Sequence, residues 1–313
     1  MEVATNDPMP NGLPPERLVF IHALIERGGP EPHEYAAVTA WIDALAGDVK
    51  VGRVKADVVS EMWRELTRQH FRRTLQGLVV ETPHGYHGDF EFIDGVHCTR
   101  ISPDAILARW DGYLHAQAAP KAVRNRKQYF QDLLKSRCGR NGHPIPVLNV
   151  ASGPARDVRE WLDTNGAEAV HFDCVDLDAN AIRFAEALCA DYAEAVRFFH
   201  GNALLFKPPR RYRLVWSAGL FDYLDDRLFV RLLRRLLRFT EAGGEVVVGN
   251  FGDSNPTRNY MELLGGWRLI HRGRERLEAL ALEAGAAREN ISIGAEPEGV
   301  NLFLHIRSGG SLP

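Results

Sequence analysis

Between residues 147 and 251, short apolar runs alternate with stretches of helical periodicity, and this alternation restricts the fold more than any other feature of the sequence. The apolar runs have the length of buried strands and cover residues 147–151, 171–175, 196–200, 214–218 and 243–251. The helical stretches cover residues 155–162, 180–192 and 226–239. Strands joined by helices of this length build a mostly parallel sheet with helices on both faces. We therefore expect an open α/β sheet in this half of the chain.

The rest of the sequence predicts additions to that sheet. Two apolar runs, at residues 291–293 and 300–306, can form a hairpin at one sheet edge. Upstream, helical periodicity extends over residues 16–74, and a further helix is expected from about Pro120 to Lys135. Between them, residues 81–98 are rich in glycine and aromatic residues, which predicts a loop.

These patterns predict three parts and a connector. Residues 1–15 are expected to be a disordered start, and residues 16–135 a helical region that forms a lid and the substrate pocket. The turn-rich residues 136–146 connect this region to a sheet domain over residues 146–313.

Composition excludes several classes of protein. The 313 residues carry a net charge of −3, which does not favour a nucleic-acid binder. The start lacks the apolar core of a signal peptide, and no apolar run approaches the roughly 18 residues that cross a bilayer. The four cysteines are scattered without paired spacing, as is typical of free thiols in a reducing compartment. We expect a cytoplasmic protein without membrane insertion.

The segment NVASGPARDV, residues 149–158, places a turn between the first strand and the first helix of the sheet. Gly153 can adopt a positive φ and lets ligand atoms approach the backbone. Pro154 suits the first turn of a helix because it has no N–H to lose, and the free amides there favour an anionic group. Since ligands of such sheets bind at the carboxyl ends of the strands, we expect this turn to hold part of a ligand.

Polar residues also follow the next two strands. Asp176 comes 23 residues after Gly153, where a carboxylate can accept hydrogen bonds from both ribose hydroxyls. Asn202 follows the third strand and can read the exocyclic amine of adenine. Together these residues predict an adenosine ligand. The alternative is that Gly153 serves only a tight turn and Asp176 caps the following helix.

A dinucleotide is disfavoured as the ligand. A pyrophosphate loop usually reads G-x-G-x-x-G, and here Ala151 and Arg156 replace its first and last glycines. The sequence also lacks the G-x-x-x-x-G-K-[ST] loop of P-loop ATPases. An NAD-dependent oxidoreductase and a non-catalytic sensor of an adenosine ligand are the alternatives from other classes.

Seven segments between about residue 85 and residue 307 carry a family resemblance: GYHGDFEFID (85–94), VRNRKQYF (123–130), LNVASGPARDV (148–158), SAGLFDYLDDR (217–227), GNFGDSNPTRNYME (249–262), WRLIHR (267–272) and EGVNLFLHIR (298–307). The sequence resembles class I S-adenosylmethionine (SAM)-dependent methyltransferases, and among them the bacterial group related to the enzyme that makes methyl 3-hydroxypalmitate. That group usually has Gly-Cys-Gly-Pro where this chain has Ala-Ser-Gly-Pro. The first 75 residues show no such resemblance.

The resemblance implies a Rossmann-like class I methyltransferase sheet, mostly parallel with an antiparallel edge strand, and an N-terminal helical domain. It implies SAM as cofactor, with the turn at Gly153 holding the methionine part, Asp176 the ribose and Asn202 the adenine edge. The methyl acceptor would lie over the ends of the fourth and fifth strands. The full set expected to contact the cofactor is Ala151, Ser152, Gly153, Pro154, Asp176, Leu177, Asn202, Ala203, Ala218, Gly219, Arg124 and Tyr129.

Some of these roles have a structural alternative. Arg124 and Tyr129 are expected to close over the SAM carboxylate, unless they lie on a solvated helix face. Of the expected catalytic residues, Tyr86 and Asp89 offer a donor and an acceptor, and the alternative is that Asp89 caps a following helix. Asp222 and Tyr223 would lie near the transferred methyl, unless Asp222 is a helix cap and Tyr223 a packing residue.

The expected substrate-binding residues are Arg258, Asn255, Tyr260 and Glu91. Asn255 before a proline predicts a helix start, with Arg258 and Tyr260 in its first turn. A guanidinium matches a carboxylate, so Arg258 is the candidate that binds a substrate carboxylate; a structural ion pair is the alternative.

The resemblance and Arg258 favour O-methylation of a carboxylate, in a fatty acid or a similar metabolite acid. A carboxylate is ionised at pH 7 and needs no base, whereas an alcohol or a protonated nitrogen needs one. The alternative is N-methylation of an amine, guanidine or peptide in secondary metabolism, with Asp89 and Glu91 binding and deprotonating the acceptor.

Two other signals predict no further ligand. The histidines near residues 84–98 lack a second well-spaced pair, so no metal is expected. The basic stretch RLFVRLLRRLLRF (227–239) alternates arginine with leucine at helical spacing, which predicts a solvated face over an apolar stripe. The expected partner is a small molecule, without nucleic acid, and helical additions to this fold favour a homodimer.

Overall fold

The computed structural model describes residues 15–138 and 143–309. Residues 1–14 of the expected disordered start, and residues 139–142 of the expected connector, lie outside the described residues. The chain divides into two compact units. The helical unit comprises the chain up to Pro120 together with Pro256–Arg268, and the sheet unit comprises Lys121–Asn255 and the chain from Leu269 onward.

This division differs from the expected boundary near residue 135. Most of the helix Ala118–Arg137 belongs to the sheet unit, because its buried Phe130 packs against Phe172 and Trp216 of the strands. Residues 256–268 belong to the helical unit, where the Thr257 hydroxyl accepts a hydrogen bond from the Ala119 amide at 3.1 Å.

Within the described residues, the helical unit contains six helices: α1 (Pro15–Glu26), α2 (Tyr35–Lys50), α3 (Ala56–Leu66), α4 (Leu75–Glu81), α5 (Phe90–His97) and α6 (Ala105–Ala116). Two π-helical turns, Thr67–Phe71 and Tyr260–Leu264, and one 3₁₀ turn, Pro32–Glu34, complete it. Aromatic rings of Trp63, Phe71 and Trp110 pack together in its core.

The expectation of a loop over residues 81–98 is wrong in its second half, because α5 occupies Phe90–His97. Asp89 caps that helix by accepting the Phe92 N–H at 2.9 Å. Burial of Phe90, Phe92, Ile93 and Val96 follows the helical period, which holds the segment as a helix.

In the part of the chain that the structure describes, the sheet unit has seven strands: β1 (Ile145–Val150), β2 (Val170–Asp176), β3 (Val196–His200), β4 (Tyr212–Ser217), β5 (Thr240–Phe251), β6 (Ile291–Ala295) and β7 (Asn301–Arg307). Their order is β3-β2-β1-β4-β5-β7-β6. Strands β1 to β5 are parallel, and β7 runs antiparallel to both β5 and β6. This confirms the expected Rossmann-like, mostly parallel sheet and its hairpin at one edge.

Helices cover both faces of this sheet: α7 (Ala118–Arg137), α8 (Arg156–Asn165), α9 (Ala179–Leu188), α10 (Asp226–Phe239) and α11 (Arg274–Glu283). Short 3₁₀ turns lie at Ala190–Tyr192, Phe221–Tyr223 and Arg288–Asn290. One buried cluster joins the strands to α10 and α11, and a second joins them to α7, α8 and α9. Among the described helices, none combines the length and apolar character that a bilayer crossing needs.

The strand order reverses between β1 and β4, which are neighbours in the sheet. In open α/β sheets the crevice for ligands lies at such a reversal, at the carboxyl ends of the strands. The turns after Val150 and after Ser217 therefore border the expected ligand crevice.

Candidate active site

The turn between β1 and α8 holds its backbone in the left-handed region at three alternate positions. Ala151, Gly153 and Ala155 have φ values of +54°, +53° and +51°. The positive φ expected for Gly153 is confirmed, whereas those of the two alanines were not expected. A non-glycine residue in this region stores roughly 1–3 kcal/mol of strain, and such residues cluster at ligand sites.

Asp176 connects this turn to the tip of β2. Its Oδ2 accepts the Gly153 N–H at 2.8 Å, and its Oδ1 accepts the Asp178 N–H at 2.9 Å. Burial raises the pKa of Asp176, and these amide hydrogen bonds oppose the rise. Each oxygen has a second lone pair, so the carboxylate can still accept hydrogen bonds from a ligand. The cap of α9 is Asp178 and not Asp176, since Asp178 accepts the Asn180 N–H at 2.8 Å.

The surroundings of Gly153 combine open space with polar and apolar groups. A Cβ placed on Gly153 would have no atom within 4 Å. The Oγ of Ser152 is buried and, among the described residues, has no hydrogen-bond partner. Leu177 and Leu205, which follow β2 and β3, are 67% and 70% exposed. Exposed leucines are typical of a surface that contacts an apolar group, and a buried unpaired hydroxyl is typical of one that contacts a polar group. This sheet edge therefore favours a ligand with both polar and apolar parts.

Asn202 is exposed beyond β3, and its side-chain oxygen already accepts the Leu204 N–H at 2.8 Å. The oxygen that was expected to accept a hydrogen bond from the exocyclic amine of adenine thus already accepts one from the backbone. Its Nδ2 group is the part of the side chain that can donate to a ring nitrogen.

Sequence reasoning did not predict Arg126, which lies at the strand-order reversal. Its Nη1 is 3.4 Å from the Ala218 carbonyl oxygen just after β4. A Cβ on Gly219 would be only 3.4–3.5 Å from the guanidinium nitrogens. A signal was present in the sequence, because Arg126 follows Ala122 and precedes Phe130 by four residues, on the stripe of α7 that is buried against the sheet.

Two carboxylates flank Arg126. Burial raises the pKa of Asp222 to about 7 and that of Asp157 to about 6, while the charge of Arg126 lowers both. Asp222 Oδ1 accepts the Phe251 N–H at 2.6 Å. Asp157 Oδ1 accepts the Val158 N–H at 3.0 Å, and its Oδ2 accepts from Asn149 at 3.4 Å. The cation is therefore held between the turn after β1 and the loop after β4.

The sequence of this region matches a known family. Residues 147–244 match the family described as "Methyltransferase domain", and the match includes the turn, Asp176 and Asn202. The protein is a methyltransferase. The two alternatives from other classes, an NAD-dependent oxidoreductase and a non-catalytic sensor, are thereby set aside.

Solved structures share the fold of the methyltransferase. A possible exported protein from Bordetella parapertussis is 17% identical, with a TM-score of 0.59 over 83% of this chain and 98% of that one. The S-adenosylmethionine-dependent methyltransferase SibL in its apo form is 15% identical, with a TM-score of 0.52 over 89% of this chain and 76% of that one. At these identities the likeness establishes the fold. No curated protein matches the sequence.

The cofactor of this class I methyltransferase is SAM, and the residues at the sheet edge fit it. SAM carries a carboxylate, two ribose hydroxyls and a planar adenine. The structure provides a cation at Arg126, a carboxylate at Asp176 and exposed leucines at Leu177 and Leu205. The buried unpaired Ser152 hydroxyl adds a polar group beside the strained turn.

The structure does not bring Tyr129 to the cofactor turn. Its ring stacks on Phe303 with centroids 4.0 Å apart, and its hydroxyl is 2.7 Å from His305 Nε2. Because His305 pairs with Val247 in the middle of β5, Tyr129 lies over the centre of the sheet. Arg124 is half-buried on α7, where burial lowers its pKa and the charge of Glu298 opposes this change.

The loop after β4 carries the other two expected catalytic residues, Asp222 and Tyr223. Asp222 is buried and connects this loop to β5 through the Phe251 amide, and the cap of α10 is Asp225 instead. Tyr223 is 44% exposed at the carboxyl edge of the sheet. Of the two, only Tyr223 therefore presents a sizeable exposed surface.

Buried Arg272 fixes the conformation of that loop, and sequence reasoning did not predict this role. Its Nη1 donates to the Phe221 carbonyl at 3.1 Å and to Asn250 Oδ1 at 2.8 Å. Its Nη2 donates to the Leu224 carbonyl at 2.6 Å and to Asp226 at 2.8 Å. One guanidinium thus holds both ends of the 3₁₀ turn that contains Asp222 and Tyr223.

Three expected site residues, Tyr86, Asp89 and Glu91, belong to the helical unit. Asp89 is the cap of α5, as its alternative interpretation held, and burial raises its pKa. Glu91 contacts His84 at 3.3 Å and Arg100 at 3.8 Å. Tyr86 is 40% exposed in the loop between α4 and α5.

The segment that was expected to bind substrate is divided between the two units. In the helical unit, Arg258 forms an exposed ion pair with Glu262 at 2.6 Å, and Tyr260 donates its hydroxyl to Gln76. Burial raises the pKa of Tyr260 well above its usual value. In the sheet unit, Asn255 Nδ2 is 3.2 Å from His271 Nε2. Asn255 does not start a regular helix, since the helical turn begins only at residue 258.

Proposed function

We propose that this enzyme binds SAM along the carboxyl ends of β1 to β4 and transfers its methyl group to the carboxylate of a small acid. When bound, SAM supplies an electrophilic methyl group on its sulfonium. The protein therefore has mainly to align the acceptor, and such positioning can contribute about 7–11 kcal/mol to catalysis.

We assign the nucleoside part of the cofactor to the tips of β2 and β3. Asp176 accepts hydrogen bonds from the ribose hydroxyls with the lone pairs that Gly153 and Asp178 leave available. Leu177 and Leu205 offer apolar surface to the adenine, and Asn202 Nδ2 donates to a ring nitrogen. We also assign Ala203 to the nucleoside part.

We assign the methionine part to the turn after β1 and to Arg126. A guanidinium recognises a carboxylate through charge-assisted hydrogen bonds, and Arg126 is the cation next to Ala218 and Gly219. The turn residues Ala151, Ser152, Gly153 and Pro154 face the same group. Arg126 thus takes the role that the sequence suggested for Arg124 and Tyr129.

The observation that carries the acceptor assignment is the burial of Asp222. A general base must contact the acceptor, yet the side chain of Asp222 is buried and its Oδ1 accepts the Phe251 amide. Asp157 and His271, which lie at the same sheet edge, accept hydrogen bonds from Val158 and Asn255. A carboxylate acceptor needs no base, so it suits these residues best.

An amine or guanidine acceptor is the second candidate. Asp89 and Glu91 are its expected binding groups, and both already have partners within the helical unit. We therefore rank it below the carboxylate. Resemblance to the methyl 3-hydroxypalmitate group supports a fatty-acid-like acid, with Arg258 and Tyr86 as candidates for binding it. We include secondary metabolism, a cytoplasmic location and a homodimer in the proposal.

One experiment tests both the reaction and its acceptor. The enzyme is incubated with methyl-labelled SAM and a library of fatty and other metabolite acids, and the products are treated with alkali. A methyl ester then releases labelled methanol, which is volatile, whereas an N-methyl group does not. We expect volatile label with at least one acid. Non-volatile label on an amine would contradict the O-methyl assignment and leave the cofactor assignment intact.

A further inference from the structure

Four exposed arginines form a straight row on α10. Arg227, Arg231, Arg234 and Arg238 are spaced by four, three and four residues, so they lie on one side of the helix. The opposite side is buried through Phe229, Leu232, Leu233 and Leu236. At 1.5 Å per residue the row is about 16 Å long, with a guanidinium at almost every turn.

Among the described residues, no carboxylate lies within 4.0 Å of the guanidinium of any of the four. Arg234 donates to the backbone carbonyl of Glu283 at 2.9 Å and keeps its charge exposed. Some exposed helical arginines elsewhere in the chain pair with an acid three or four residues away, as in Arg64–Glu61 and Arg258–Glu262. On α10 no acid follows Asp226, so the row has no such partner.

The loop before β4 extends the positive charge of the row. Lys207 and Arg211 are exposed there, and Arg213, which is the second residue of β4, is half-buried. Arg235 of α10 donates to the Phe206 carbonyl at 2.7 Å, which places the loop next to the helix. Residues 207–213 and α10 hold nine of the chain's 38 lysines and arginines, although its net charge is −3. Charge is therefore segregated onto this face of the sheet unit.

We propose that this row docks an acidic helix of a partner protein. Acidic residues spaced by four, three and four on a helix repeat with the same pitch as the arginines, and guanidinium groups match carboxylates. A long nucleic acid would meet the net negative charge of the rest of the chain. A bilayer would gain little from a single line of charges without exposed apolar side chains on the same helix.

The row begins near the proposed methyl-transfer site. Arg227 is four residues after Tyr223, and α10 starts at the carboxyl edge of the sheet. A partner helix on the row would therefore have one end close to that edge. The docking proposal does not depend on which acceptor is methylated.

The test uses the full-length protein and a labelled, alanine-rich helical peptide with four glutamates spaced by four, three and four. A control peptide has the same composition with the glutamates spread around the helix. We call the peptide with glutamates spaced by four, three and four the row peptide. Fluorescence anisotropy at low salt should show that it binds several-fold more tightly than the control peptide. The variant R227Q/R231Q/R234Q/R238Q should lose roughly sixteenfold in affinity, since four exposed pairs each contribute a factor of about two.

A second variant controls for net charge. R64Q/R68Q/R72Q/R73Q removes four exposed arginines from the helical unit, and its affinity for the row peptide should match the wild type. Equal affinity for the two peptides, or an equal loss in both variants, would overturn the proposal. Tighter arginine-dependent binding to phosphatidylcholine vesicles with 30% phosphatidylglycerol, or to a DNA duplex, would overturn it too.

Discussion

The carboxylate of Asp176 accepts the Gly153 N–H at 2.8 Å, although 23 residues separate them. This bond joins the tip of β2 to the turn of β1, where Ala151 and Ala155 hold left-handed backbone. The same oxygens are the proposed partners of the ribose. Asp176, the proposed ribose-binding residue, thus also stabilises the strained turn after β1.

Arg126 distinguishes the proposed site from the one that the sequence suggested. Arg126→Ala should weaken binding of S-adenosylhomocysteine at least about tenfold, because a hydrogen bond to a charged group contributes about 1.5–3 kcal/mol. Arg124→Ala, two residues earlier on α7, should bind nearly as the wild type does. Isothermal titration calorimetry of both variants checks this, and the reverse order of affinities would contradict the role of Arg126.

Much of the fold could be predicted from the sequence because the apolar runs of β1 to β5 and the helices between them have unambiguous periods. Asp176 and Gly153 could be predicted as ligand-binding residues because each lies at or just after the carboxyl end of one of the first two strands of the sheet. Arg126 was missed because its position on the buried stripe of α7 indicates burial but not the contact with Ala218, which depends on the tertiary fold. The cap formed by Asp89 was foreseen as an alternative, but the length of α5 depends on tertiary burial of Phe90 and Phe92.

The carboxyl of Asp222 should give stability a specific pH dependence. Its pKa is about 7 in the folded protein, against an ordinary 3.8, so between about pH 4 and pH 7 the folded chain keeps a proton that the unfolded chain loses. Its contribution to the free energy of unfolding therefore falls as pH rises through this window. Asp222→Asn keeps an oxygen that can accept the Phe251 amide and removes the titration.

Urea unfolding of wild type and Asp222→Asn at pH 5, 6, 7 and 8 tests this effect. The free energy of unfolding of the variant relative to the wild type should rise by a few kcal/mol, since each unit of pKa shift corresponds to slightly more than about 1 kcal/mol. The difference should level off above about pH 7. A constant difference across the range would mean that Asp222 does not retain its proton.

Arg272 should be essential for the conformation of the loop after β4 and for the stability of the fold. Arg272→Gln leaves the buried Phe221 and Leu224 carbonyls without their donor and removes the ion pair with Asp226, which should cost about 3–5 kcal/mol. Arg276 pairs with the same Asp226 but is half exposed, so Arg276→Gln should cost about 1 kcal/mol or less. Thermal unfolding of the two variants measures the contrast, and similar destabilisation would show that the buried contacts of Arg272 add little.

Titration of Asp176→Ala with S-adenosylhomocysteine tests the central claim most directly, with Asp178→Ala as the matched control. The wild type should bind one ligand per chain, and Asp178→Ala should bind with similar affinity because it removes the cap of α9 and keeps the carboxylate of Asp176. Asp176→Ala should bind at least about tenfold more weakly, since it loses the proposed ribose acceptor and the bond to Gly153. Wild-type affinity in Asp176→Ala would contradict the placement of the cofactor at this sheet edge.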